Sequence, residues 1–223
     1  MQPTLSPVTG APAAASPLQF LVPGWFATVM GLCGLALAWL RAEPILGPGA
    51  TAAAVALALV ASGVFLVLAL ASLVRARRHP SALAEDLAHP VRHPFVAALP
   101  VSLLLLATVA NALLGPAPWV AGLWMLGAAC LFVVTVWVLS RWLVPGPGGF
   151  AWPSITPVLF IPVVGNVLTP LAGPSLGLPE WAAAQFGIGL LFWPVGLTLL
   201  AVRIGLQGLW PDRLLPATFI TIA

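Results

Sequence analysis

Apolar residues run almost unbroken over roughly 21–40, 51–74, 95–114, 119–144, 155–172 and 181–204. Each run is near the ~20 residues that an α-helix needs to cross a hydrocarbon core, so the pattern predicts six complete transmembrane helices. A seventh apolar run opens at Leu214 and continues to Ala223, so the sequence reads as one that stops inside a seventh span. Connections are mostly short. Residues 115–118 read Gly-Pro-Ala-Pro, which sets the flanking spans antiparallel as a hairpin. The longer segment 75–94 predicts a short surface helix around Ser81–Ala88, with Ser81 as its cap, Glu85 and Asp86 within it and Pro90 after it. Residues 1–20 lack a basic leader and are interrupted by prolines, and are expected to form a disordered cytoplasmic tail. Residues 21–223 are then one transmembrane domain, incomplete at its C-terminus.

Composition agrees. The chain is 61% hydrophobic and 6% charged, with a mean hydropathy of +1.10, which cannot furnish an ordinary water-soluble surface. All eight basic residues are arginines, and against five acids they are too few and too scattered for a nucleic-acid surface. Their distribution tests the segmentation. With the N-terminus inside, inner loops hold Arg75, Arg77, Arg78, Arg92, Arg141, Arg203 and Arg213, and outer loops hold Arg41. That asymmetry fits six crossings with a cytoplasmic N-terminus, in the plasma (inner) membrane. Trp39, Trp119, Trp142, Trp152, Trp181 and Trp210 fall at or near span ends, where an indole can be half wet. Cys33 and Cys130 lie inside apolar runs and read as inert thiols.

The irregular residues are unevenly placed. Odd-numbered spans hold Pro23, Pro100, Pro157, Pro162, Pro170 and Pro216, whereas Pro194 alone falls on an even one. A proline frees a backbone carbonyl, which at membrane depth is tolerated only where protein, water or a cavity satisfies it. The odd spans are therefore expected inside. Pro23 and Pro216 also fit ordinary first-turn positions. Gly24, Ala27, Gly31, Gly34 and Ala38 strip one face of the first span of bulk, as close helix packing or the wall of a narrow conduit would each require. On the fifth span Pro162, Asn166, Thr169 and Gly173 share a helical face, where Asn166 serves either an interhelical hydrogen bond or a polar path.

No ionisable residue lies at the middle of a predicted span, whereas proton relays and cation-coupled carriers generally place one there. A passive path fits better, and helix ends, amides and arginines can favour anions. Enzyme chemistry and cofactors are not expected. His89 and His93 are four apart, but Pro90 and Pro94 break the turn that would aim both at one metal. The Pro-Gly-Pro-Gly-Gly run at 145–149 lacks the lysine and following helix of a phosphate-binding loop. A structural or partner-binding membrane subunit remains the alternative, because a bundle packed by small residues shows the same stripe.

The stretches VPGWFATVMGLCGLALAW (22–39), HPFVAALPVSLLLLA (93–107), FIPVVGNVLTPLAG (160–173) and LLPATFITIA (214–223) resemble the first, third, fifth and seventh helices of the tellurite-resistance/dicarboxylate transporter family. That family includes TehA proteins, a malate permease, sulfite exporters and plant slow anion channels. The resemblance implies ten helices in five hairpins, odd helices around a central pore, and a homotrimer embedded in lipid. It implies small-anion transport, with sulfite, C4-dicarboxylates, tellurite, halide and nitrate as substrate classes, and a gating phenylalanine on a ninth helix. It further implies Gly24, Gly31, Pro100, Ser102, Pro162, Gly165, Asn166 and Pro216 as pore-lining residues.

Overall fold

A computed structural model describes residues 16–143, 152 and 155–221. Residues 1–15 of the expected tail and the 145–149 loop lie outside the described residues. Every regular element among the described residues is helical. Five helices are long and apolar enough to cross a membrane: Pro23–Leu46, Pro48–Arg78, His93–Leu114, Pro118–Leu143 and Pro179–Gln207. The fold is that of an all-α, multi-pass membrane protein.

In chain order, a 3₁₀ turn Pro23–Phe26 leads into α1, Ala27–Leu46, followed by α2, Pro48–Arg78, and α3, Pro80–Ala88. The 3₁₀ turn His93–Ala97 then opens α4, Ala98–Leu114, which is followed by α5, Pro118–Leu143. The fifth apolar run is a composite: 3₁₀ turn Pro157–Leu159, one α-turn Phe160–Val163 termed α6, and a 3₁₀ stretch Val164–Leu171. α7 spans Pro179–Gln207, and Asp212–Thr221 forms a further 3₁₀ helix.

Two boundaries differ from the sequence expectation. The first span was expected to end near 40 and the second to begin near 51, yet a single residue, Gly47, separates α1 from α2. Its φ of 75° is the left-handed conformation that ends a helix at low cost, and Pro48 supplies the preset φ that starts the next. The fifth run is not a regular helix like the others. Pro162 and Pro170 each remove a donor, and the backbone tightens into 3₁₀ geometry around them. Because 3₁₀ helix rises ~2.0 Å per residue against ~1.5 Å, Pro157–Leu171 still extends about 28 Å, close to the ~30 Å hydrocarbon thickness.

α4 is the centre of the bundle. Of its most apolar stretch 61% is buried, against 11–33% for the other four spans. α1 and the fifth segment both pack on it, while α2 backs α1, α5 backs α4 and α7 backs the fifth segment. The backing is intimate at two glycines. A Cβ on Gly127 of α5 would lie 2.8 Å from Leu104 N of α4, and one on Gly189 of α7 would lie 2.8 Å from Val167 N. In lipid such close backbone approach takes the place of a hydrophobic driving force.

A polar cluster ties together the arginine-rich end. Asp86 of α3, 1% exposed, receives Arg75 Nη2 of α2 at 2.6 Å and Arg92 Nη1 at 2.7 Å. Arg75 Nη2 also donates to Gln19 O at 3.0 Å, and Arg141 of α5 donates to Leu87 O at 2.8 Å. α3 begins at Pro80, with His79 rather than Ser81 in the capping position, because a proline at the first helical position needs no capped N–H. His89 Nδ1 accepts the backbone N–H of Val91 and of Arg92, and the His93 ring meets Trp137 edge-on.

Gly127→Val should lower the melting temperature of the detergent-solubilised protein by about 5 °C, as ~1–3 kcal/mol of overpacking separates α5 from α4. Gly122→Val, where a Cβ meets nothing within 4 Å on the same helix, should leave it within about 1 °C.

Candidate functional site

The fifth segment runs through the bundle as an irregular backbone contacted by polar side chains. Thr135 Oγ1 of α5 lies 2.5 Å from Pro162 O and accepts Asn166 Nδ2 at 2.8 Å. The same amide donates to Val163 O at 2.9 Å, and Pro162 O lies 3.2 Å away. These carbonyls sit where α-helix turns into 3₁₀ helix. Further along, within the 3₁₀ stretch that contains Pro170, Thr169 Oγ1 is 2.9 Å from Asn166 O and 2.9 Å from Ala182 O of α7. Gln185 of α7 donates to Ala128 O of α5 at 2.7 Å and links those two helices.

Asn166, Thr169, Thr135 and Gln185 are each 0–1% exposed. The face that Pro162, Asn166, Thr169 and Gly173 share in the sequence is thus turned toward α5 and α7. A Cβ on Gly173 would meet Ala182 Cβ at 2.5 Å and Trp124 Cζ2 at 2.8 Å, so that end of the face is closed by packing.

The other named positions divide. Pro100 is buried, and its carbonyl lies 3.2 Å from a Cβ built on Gly127. Ser102 Oγ, fully buried, lies 2.7 Å from Ala98 O and 3.0 Å from Phe26 O, which links α4 to the start of the first span. Gly165 is half-buried, with Val101 Cγ2 3.3 Å from a notional Cβ, and Gly24 faces the Phe95 ring at 3.1 Å. Gly31 is exposed and open, with nothing within 4 Å of a Cβ, as is Gly34. Pro216 is exposed within the last 3₁₀ helix.

The small-residue stripe on α1 leads somewhere. Arg41 follows Ala38 by three residues and so continues the same face. It lines a cavity of about 310 Å³ together with Leu37 and Glu43 of α1, Thr108 and Ala112 of α4, and Leu171 of the fifth segment. The first, third and fifth apolar runs meet there. Thr108 is 3% exposed, and its hydroxyl donates back to Leu104 O at 2.8 Å.

Sequence reasoning missed Thr135, Gln185 and Thr108. Each is a neutral polar residue scattered in an apolar run, and the two threonine hydroxyls can satisfy themselves on the carbonyl four residues back. The available signal was the pairing of one such residue per helix with a proline-bearing partner.

These features define a multi-pass helical membrane protein with a braced, proline-broken inner segment and a small-residue face leading to a shared cavity. The chain belongs to the SLAC1 family, described as voltage-dependent anion channel, whose pattern it matches over residues 21–223. It is 26% identical over 195 residues to the tellurite resistance protein TehA homolog of Haemophilus influenzae, covering 86% of this chain and 57% of that protein. It is 27% identical over 143 residues to the S-type anion channel SLAH2 of Arabidopsis thaliana, covering 64% of this chain and 27% of that protein. The chain therefore spans little more than half the length of the first relative and about a quarter of the second.

Thr135→Val should destabilise the protein by about 1–2 kcal/mol, because it strips the donor from Pro162 O and the acceptor from Asn166, whereas Thr135→Ser should restore most of the loss. Thermal denaturation in detergent reads both. A Thr135→Val/Asn166→Leu double variant should lose less than the sum of the single losses, since the two side chains act as one brace.

Proposed function

We propose that the chain contributes to a passive conduit for small anions running along the open face of α1. The single observation that carries this reading is the continuity from Gly31 and Gly34, both open, through Ala38 to Arg41, which lines the cavity shared with α4 and the fifth segment. The family's description, and the names of both relatives, agree with an oxyanion or anion cargo.

The chemistry offers a cation little. No acid lies mid-span to compensate a dehydrated cation, and at one end of the face Arg41 lines the cavity beside Glu43. Gly24, Gly31, Pro100, Ser102, Gly165 and Pro216 belong to the conduit-bearing layer in this reading. Pro162 and Asn166 act by holding the fifth segment's backbone in place beside it. Sulfite, C4-dicarboxylate, tellurite, halide and nitrate are the cargo classes, and the assembled form is a homotrimer in the plasma membrane with a cytoplasmic N-terminus, as the arginine asymmetry suggests. No enzymatic step is assigned.

The openness of Gly31 and Gly34 equally fits a seat for another helix, in a subunit that transports nothing itself. Flux through protein reconstituted in liposomes separates the two. Chloride and nitrate should pass down their gradients, and Gly31→Leu should cut the flux at least about tenfold, a barrier increase of ~1.4 kcal/mol. Gly63→Leu, equally open but on α2, should leave it unchanged. Selectivity for cations sinks the proposal, and equal effects of the two variants favour the helix seat.

A further inference from the structure

At the arginine-rich end, Leu21 and Pro23 before α1 and the facing sides of α2, α3 and the start of α4 leave a gap, so that α2 and α4 are not in full contact there. A crevice of about 460 Å³ lies between them, floored by Phe26 and Val96, flanked by Ser72 and Leu73 of α2, and roofed by Leu83 and Leu87 of α3. Its walls are overwhelmingly apolar. Leu73 and Leu99 at its edge are 50% and 37% exposed, so it opens on the surface that faces the bilayer. An apolar crevice with that outlook is filled by hydrocarbon and not by water.

Charge at the mouth selects among lipids. Arg75, which lines the crevice, is held by Asp86, Gln19 O and Ala82 O, and Arg92 shares Asp86 and Glu85. Two guanidinium groups are thus matched by two carboxylates. Arg77 and Arg78 follow in the last turn of α2, are exposed, and make no ion pair among the described residues. Arg77 stands one helical turn beyond Leu73, on the crevice side. Uncompensated arginines at a membrane surface attract anionic headgroups, and a guanidinium fork suits a phosphate.

We propose that this crevice is a binding site for an anionic phospholipid, with an acyl chain lying between α2 and α4 beneath α3 and its phosphate against Arg77 and Arg78. α3 makes the site. Its apolar side covers the chain, and its Asp86 turns the one inward arginine, Arg75, away from the phosphate and leaves the two outer ones free.

The test is lipid retention, which reads nothing of ion flux and so stands apart from the conduit proposal. The detergent-purified protein is mixed with equal amounts of phosphatidylglycerol and phosphatidylcholine of identical chains, and bound lipid is counted by native mass spectrometry. Phosphatidylglycerol should be retained about tenfold over phosphatidylcholine. The double substitution Arg77→Gln/Arg78→Gln should abolish that preference without moving the melting temperature. Ser72→Trp, which fills the crevice, should reduce retention of both lipids. The proposal is overturned by equal retention of the two lipids, by a preference that survives the double substitution, or by full retention in a folded Ser72→Trp variant.

Discussion

Inside a bilayer a backbone carbonyl that loses its helical donor has no water to turn to, and the interior of this bundle is organised around that constraint. The change from α to 3₁₀ winding at Val163–Val164 disturbs the carbonyl pairing of the fifth segment, and the side chains of Thr135, Asn166 and Thr169 reach Pro162 O, Val163 O and Asn166 O there. Those donors are useful only if α5 and α7 come within hydrogen-bond reach: Gly189 lets α7 approach the fifth segment, and Gly127 seats α5 against α4. Irregular backbone, small residues and buried neutral polar groups are therefore one device. Each would be a defect without the others.

The arginine-rich end obeys the complementary rule. There the cost is desolvated charge, and it is met by placing the Asp86 carboxylate between two guanidinium groups and spending the remaining donors on Gln19 O and Ala82 O. Because these partners come from α2, α3, the approach to α4 and the residues before α1, the cluster fixes how the spans emerge at that end. Arg141 extends the arrangement to α5 through Leu87 O and lies 5.3 Å over the Trp137 ring.

The spans were legible because length and hydropathy alone decide whether a segment can cross lipid. The central position of the third and fifth runs was legible too, since prolines at depth demand company. The first run breaks that rule of odd spans inside: only 22% of its most apolar stretch is buried, less than the 33% of α5. Its stripe of small residues marks a face without saying what stands opposite. Which of its two roles Asn166 takes was not legible. The face it shares with Pro162 and Thr169 could be drawn from the sequence, but nothing there showed that a hydroxyl on α5, Thr135 Oγ1, stands 2.8 Å from its amide. The helix boundaries near Gly47 failed for a simpler reason. Arg41 and Glu43 look like loop residues, yet both lie on the last turns of α1, where long polar side chains can reach past the apolar zone.

The one-residue link at Gly47 has a mechanical consequence. A long loop lets two neighbouring helices slide or tilt independently, because the chain between them has slack. A single glycine leaves almost none, so α1 and α2 are coupled at that end and a displacement of one along its axis carries the other with it. The open side of α1 is thereby held at a depth set by α2.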